Sequence, residues 1–330
     1  MKRNQKILVT AVLSAVSALV LNTAIAADAN SIKDTPHNLG AGNLVAKTPS
    51  GNPIANHSTN TAEICVFCHT PHGGDNGAAV PIWNRKLGPN GAGVAAALTG
   101  YKRYSTLGTT TFDASEAPIG SVSIACLSCH DGTQAIDNVI NLPGSGGYNY
   151  STGAQIGGFV GGDQSGGKLG DANLIVQNLT TDLSNDHPVS MQFGGGGINV
   201  TAVANKTVDP DFWTPSVMNA PGTSPLGKLW YLEVNGTAGN TGVGGLQPGS
   251  RDREDVILYT RNDVTGGGGV FQPTVECGSC HDPHNFKNQT FLRISNTGAV
   301  GAALTANNFG LTYTKATGGP SGLCLTCHNK

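Results

Sequence analysis

Charge is scarce in this chain. Asp, Glu, Lys and Arg make up 12% of its 330 residues, about half the usual share of roughly 25%. With a formal net charge of −2 there is no basic footprint for nucleic acid, so the surface must be covered mainly by Gly, Ser, Thr and Asn. Aromatic residues are few as well, at 6%, against 47 glycines, a composition that makes a large side-chain core hard to build. Methionine is nearly missing, with only Met191 and Met218 beyond the first residue. The glycine runs Gly157-Gly158, Gly161-Gly162, Gly194 to Gly197 and Gly266 to Gly269 do not lead from a strand to a helix with a Lys-Ser/Thr, which argues against a phosphate-binding loop.

No long hydrophobic run follows the start of the chain. Lys2, Arg3 and Lys6 precede an apolar stretch from Ile7 to Val20, and Ala24-Ile25-Ala26 stands before Ala27. Basic residues, a short apolar segment and a small-residue cleavage site read as a secretory signal peptide over 1–26. The apolar segment is too short for a comfortable membrane span, so no transmembrane span is expected. Removing the leader takes away three positive charges, and −2 − 3 gives −5 for residues 27–330. The expected location is secreted, extracellular or at the cell surface, with the periplasm as the alternative.

What is present is a fourfold pattern. Cys65-Val66-Phe67-Cys68-His69, Cys126-Leu127-Ser128-Cys129-His130, Cys277-Gly278-Ser279-Cys280-His281 and Cys324-Leu325-Thr326-Cys327-His328 all read C-x-x-C-H and use all eight cysteines. This is the attachment sequence of a c-type haem: two thiols in one turn add to the porphyrin vinyl groups, and the next His faces the iron. Zinc could use two pairs of C-x-x-C, but gives no reason for a His after every second Cys. Disulfides would suit an exported chain, yet a two-residue spacer closes a strained ring. Four covalently bound haems are the expected cofactor.

The second axial ligand decides between chemistry and electron transfer. Of nine histidines, His69, His130, His281 and His328 belong to the motifs, leaving His37, His57, His72, His187 and His284. Four irons need four of these, and methionine is scarce, so bis-His ligation is expected, with its lower potentials. His72 and His284 each follow a motif His by three residues. Neither can loop round its own porphyrin, so each is expected to reach the iron of a neighbouring haem. His187 would tie a haem-free stretch to the haem row. His37 is a ligand candidate, and His57 reads more simply as a surface residue.

The first cysteines of successive motifs are 61, 151 and 47 residues apart. That spacing divides the mature chain into an N-terminal arm with two haem motifs (27–139), a Gly-rich β-containing insertion (140–270) and a segment with the last two motifs (271–330). Residues 27–64 read as an extended arm, 65–72 as a helical turn limited by Pro71, and Val94–Leu98 as a short helix. β-like runs are expected at Leu174–Val176, Gly197–Val203, Leu229–Val234 and Asp255–Thr260. The fold class is thus a multihaem cytochrome c, mostly irregular, with short helices at the motifs and a core formed by four haems in place of side chains. The apo-protein should be largely unfolded.

His37-Asn38-Leu39, Cys65 to His72, Cys126 to Gly132, Asp186-His187-Pro188-Val189 and Cys277 to His284 resemble multihaem cytochromes with doubled C-x-x-C-H motifs. Their order is similar to extracellular tetrahaem filament (nanowire) cytochromes of the OmcE type. The resemblance implies bis-His coordination throughout, stacked and T-shaped haem pairs, and a homopolymer in which one subunit gives a distal His to its neighbour. His37, or else His57, is the implied donor, and the haem on Cys324 and Cys327 the implied receiver. The long second gap departs from compact members of that family, and decoration of a filament exterior is one reading of residues 140–270. Redox partner proteins or extracellular acceptors are the expected partners, and no enzymatic activity is expected. A monomeric periplasmic shuttle is the alternative, and a multihaem oxyanion reductase, which would need an iron with an open face, a further one.

Overall fold

The computed structural model describes residues 31–41, 56–104, 114–144, 146–160, 164–165, 167–170, 177–186, 189–199, 206–219, 228–232, 255–265, 271–285, 289–294 and 322–328. The leader, His187 and the Leu174–Val176 run lie outside them. Glycine and short polar residues keep regular structure brief. Helices α1 (Val94–Gly100), α2 (Ser123–His130), α3 (Cys277–Cys280) and α4 (Gly322–Cys327) are one or two turns long. Single 3₁₀ turns occur at Ile32–Asp34 and at Cys65–Phe67. The described part of the arm is otherwise irregular and is fastened where His57–Ser58 pairs antiparallel with Phe159–Val160.

Among the described residues one sheet has more than two strands. Its strands are β1 (Met191–Gln192), β2 (Ser216–Asn219), β3 (Lys228–Leu232), β4 (Val256–Thr265) and β5 (Phe271–Val275), in the order β2-β3-β4-β5-β1, all antiparallel. Aromatic and β-branched residues put β3 and β4 here. Trp230 stands opposite Leu258 and Leu232 opposite Val256 on one face, while Tyr231 and Ile257 meet on the other. All six are buried, so neighbouring layers cover both faces. The register of β4 shifts between Arg261 and Thr265, a bulge that bends the strand as it turns towards β5. β5 begins at residue 271, beyond the expected end of the insertion, and delivers the chain through Glu276 to Cys277.

Two apolar clusters organise the interior, so the described residues do build side-chain cores. The first gathers Trp83, Leu87, Tyr101, Ile119, Ile124 and Leu127, with Cys68 and Cys277 packed against it. The second gathers Phe193, Trp213, Trp230, Leu232, Leu258 and Ile294, with Phe212, Leu323 and Cys327 packed against it. The sheet of the insertion packs on α4 through Leu323 and Cys327. Gly278 explains its own place in the third motif: a Cβ there would collide with the Tyr259 hydroxyl and press on Val122.

Candidate functional site

Each C-x-x-C-H stretch is wound into a single turn. The His N–H donates to the carbonyl of the first Cys at 2.7 Å (His69 to Cys65), 3.0 Å (His281 to Cys277) and 2.9 Å (His328 to Cys324). His130 ends α2. Positions i, i+3 and i+4 share one helical face, so both thiols and the imidazole of a motif point the same way. At α3 the turn is held by a capping box between Glu276 and Ser279.

A second element repeats beside the turns. In the first motif the His69 Nδ1 lies 3.0 Å from the Pro81 carbonyl. Thr70 N–H donates to Ile82 O at 2.9 Å, and Asn84 N–H donates to Cys68 O at 2.8 Å. In the third, His281 Nδ1 lies 2.6 Å from Thr290 O. Asp282 N–H donates to Phe291 O at 2.9 Å, and Arg293 N–H to Cys280 O at 2.8 Å. The register is the same, a three-bond clip across four residues. Its fit forces Ile82 (φ 51°) and Phe291 (φ 60°) into the left-handed region, a strain typical of functional sites. The second motif keeps the essential bond, His130 Nδ1 to Gln177 O at 2.8 Å. The fourth keeps the backbone contact, Trp213 N–H to Cys327 O at 3.0 Å, with the Phe212 ring 4.3 Å from that of His328.

A carbonyl only accepts, so the three tethered imidazoles carry their proton on Nδ1 and turn a bare Nε2 outward. That is the tautomer a metal-ligating histidine needs. Two of them are faced by another imidazole. His69 and His284 have centroids 6.2 Å apart, with rings within 20° of parallel. His37 and His130 are 6.1 Å apart at 61°. Neither pair is in contact. Two imidazole nitrogens each about 2 Å from one metal ion, with ring centres about 1 Å further back, would put centroids roughly 6 Å apart. His37 is fixed by its Nδ1, 3.2 Å from Pro283 O, and by stacking on Phe291 at 4.1 Å. Burial, then the neighbouring His130, holds its pKa down to about 4, which keeps the ring neutral and able to ligate.

Thiols of successive motifs neighbour one another, Cys68 with Cys129, Cys126 with Cys277 and Cys280 with Cys324. Cys126 and Cys277 share a thiol hydrogen bond, which together with burial holds the Cys126 pKa up. Burial, then Cys129, pushes the Cys68 thiol up to about 12. Burial pushes Cys280 up to about 11, with Cys277 and then Cys324 adding to it. All eight thiols are free. The bond to Cys126 holds the Cys277 thiol down, while buried thiols of raised pKa such as Cys68 and Cys280 are poor exchange nucleophiles. Among the described residues no three His, Cys, Asp or Glu side chains converge on one metal position.

The residues fit a covalent haem on a further ground. The Trp83 indole stands edge-on to His69 at 5.7 Å, and its Nε1–H is buried without an acceptor. A buried donor left unpaired costs about 1–3 kcal/mol, and a haem carboxylate is an acceptor of the kind it lacks. No protein-family model and no curated protein sequence matches the chain, so the reading rests on this geometry. Among the described residues no helix is long and apolar enough to cross a membrane.

The histidines divide accordingly. His37 faces His130 within the same chain, held there by its Nδ1 bond and by Phe291. His284 faces His69, not its own motif. His72 was expected to reach a neighbouring iron, but its ring is exposed and faces none of the described histidines. Only its carbonyl is engaged, by Thr70 Oγ1 and Asn141 Nδ2. His57 sits in the short ladder with Val160. Among the described residues no imidazole faces His328 as His284 faces His69. The clip carbonyls escaped the sequence reading, since any residue supplies a carbonyl. So did Glu276, which joins the second and third motifs. It accepts from Ser123 Oγ (2.6 Å), Ser190 Oγ (3.0 Å) and Arg261 Nη1 (3.1 Å), while Ser123 Oγ accepts from Cys277 N–H at 3.0 Å.

Proposed function

We propose that this chain is a tetrahaem c-type cytochrome with bis-His ligation, exported and used for electron transfer at or beyond the cell surface rather than for catalysis. The observation that carries the reading is the pair of opposed imidazoles, His69 with His284 and His37 with His130, at the separation two ligands of one metal require. Bound haem would supply one-electron iron chemistry. The chain's own residues do the rest. Cys65, Cys68, Cys126, Cys129, Cys277, Cys280, Cys324 and Cys327 anchor the rings. His69, His130, His281 and His328 ligate from one side, and the clips hold the first three in the ligating tautomer. His37 and His284 would close the opposite face of two haem irons, which would leave those irons no open position for a small oxyanion. Thiols of consecutive motifs lie side by side, so neighbouring rings are close enough for electrons to pass along the row.

The remaining ligands are drawn from His72, His187 and His57. The exposed His72, with no imidazole opposite it among the described residues, is the histidine offered to a second copy in a homopolymer. A heterologous contact of that kind builds an open filament. Intact mass and absorbance of exported protein test the core reading: four haem additions on a chain lacking residues 1–26, with a low-spin spectrum, are expected. Fewer than four additions, or a high-spin signal from several irons, would overturn it.

A further inference from the structure

Arg85 follows directly on the clip of the first motif and is 0% exposed. A guanidinium has five N–H donors, and here all are spent on neutral oxygens. Nε donates to Ser128 Oγ at 3.3 Å, Nη1 to the carbonyls of Ile136 and Asn138, and Nη2 to those of Ser128 and Ala135 at 2.8 Å each. Among the described residues no carboxylate pairs with it. Asp131 feels its charge, but that carboxyl is engaged by the Tyr101 hydroxyl at 2.7 Å and by Thr133. The buried Arg261, by contrast, is neutralised by Glu276 at 3.1 Å.

A sealed cation without a counter-ion is costly, so its position is informative. Ser128 lies inside the second motif. The adjacent Asn84 bonds to Cys68 O and Val66 O, inside the first. Arg85 thus sits between the two N-terminal motifs, and its field reaches Cys68, Cys129 and His130. With no N–H left over it cannot bond a further anion. What it has left to give is charge.

We propose that Arg85 is a fixed charge that raises the reduction potentials of the haems on Cys65/Cys68 and Cys126/Cys129. Taking up one electron lowers the charge of an iron porphyrin by one, and a nearby cation favours that state. A unit charge about 10 Å away at an effective dielectric constant of about 20 shifts such an equilibrium on the order of tenfold. The inference rests on the tetrahaem reading. It is tested by spectroelectrochemical titration of the haem-loaded protein and its Arg85→Gln variant. Two of the four midpoints should fall, each by about tenfold in the reduction equilibrium, which is about 59 mV for a one-electron couple, while the other two stay. Four unmoved midpoints, or four moved equally, would overturn it. If Arg85→Gln does not accumulate with four haems, citrulline at position 85, which keeps the shape and loses the charge, is titrated to the same two outcomes. A parent protein with fewer than four haems would instead sink the reading beneath it.

Discussion

His284 follows His281 by three residues, yet its ring lies opposite His69, which is more than two hundred residues earlier. Sequence spacing identified it as a ligand type but could not name its partner, because the pairing is made by tertiary packing. Replacing it should open one face of one iron: His284→Ala is expected to bind carbon monoxide at about one haem per chain, read by the Soret difference spectrum, where the parent binds none there. Glu276 was not legible at all, since a carboxylate beside a cysteine motif gives no local signal. Removing it strands the Arg261 guanidinium in the interior, and breaking such a buried pair costs about 3–5 kcal/mol. Denaturant unfolding of Glu276→Ala should show that loss, and Arg261→Met in the same chain should recover part of it.

At the scale of elements, the turn-and-clip unit is the repeating structure. The turn was legible, because C-x-x-C-H at i, i+3 and i+4 can face a ring only as one helical turn. The clip was not, because Pro81-Ile82-Trp83-Asn84 and Thr290-Phe291-Leu292-Arg293 have no residue in common and act through their backbones. Its strain offers a test. Ile82 is a β-branched residue at φ 51° with 46% of its surface exposed. The left-handed conformation costs about 1–3 kcal/mol, against about 0.5–1 kcal/mol for the added freedom of glycine. Ile82→Gly should therefore raise holo-protein stability by about 1 kcal/mol, seen as a higher thermal midpoint with an unchanged spectrum. The strands of the insertion were foreseen at Leu229 and Asp255 from their β-branched and aromatic content. Their packing on α4 was not, since the contact joins residues far apart in sequence.

For the whole molecule, thiols of successive motifs neighbour one another, which links the four motifs in a row. A row of this kind has two ends, and exposed His72 lies at the first motif. His72→Ala is expected to leave four haems on each chain while abolishing filaments, as judged by sedimentation and electron microscopy; undiminished filaments would remove His72 from the contact. The central claim is that iron stands between the opposed imidazoles. A haem-resolved cryo-electron microscopy structure of the exported protein tests it most directly. The account predicts one iron bonded to Nε2 of both His69 and His284, and another bonded to Nε2 of both His37 and His130. Density with no iron between either pair, or with those histidines bound to different irons, would contradict it.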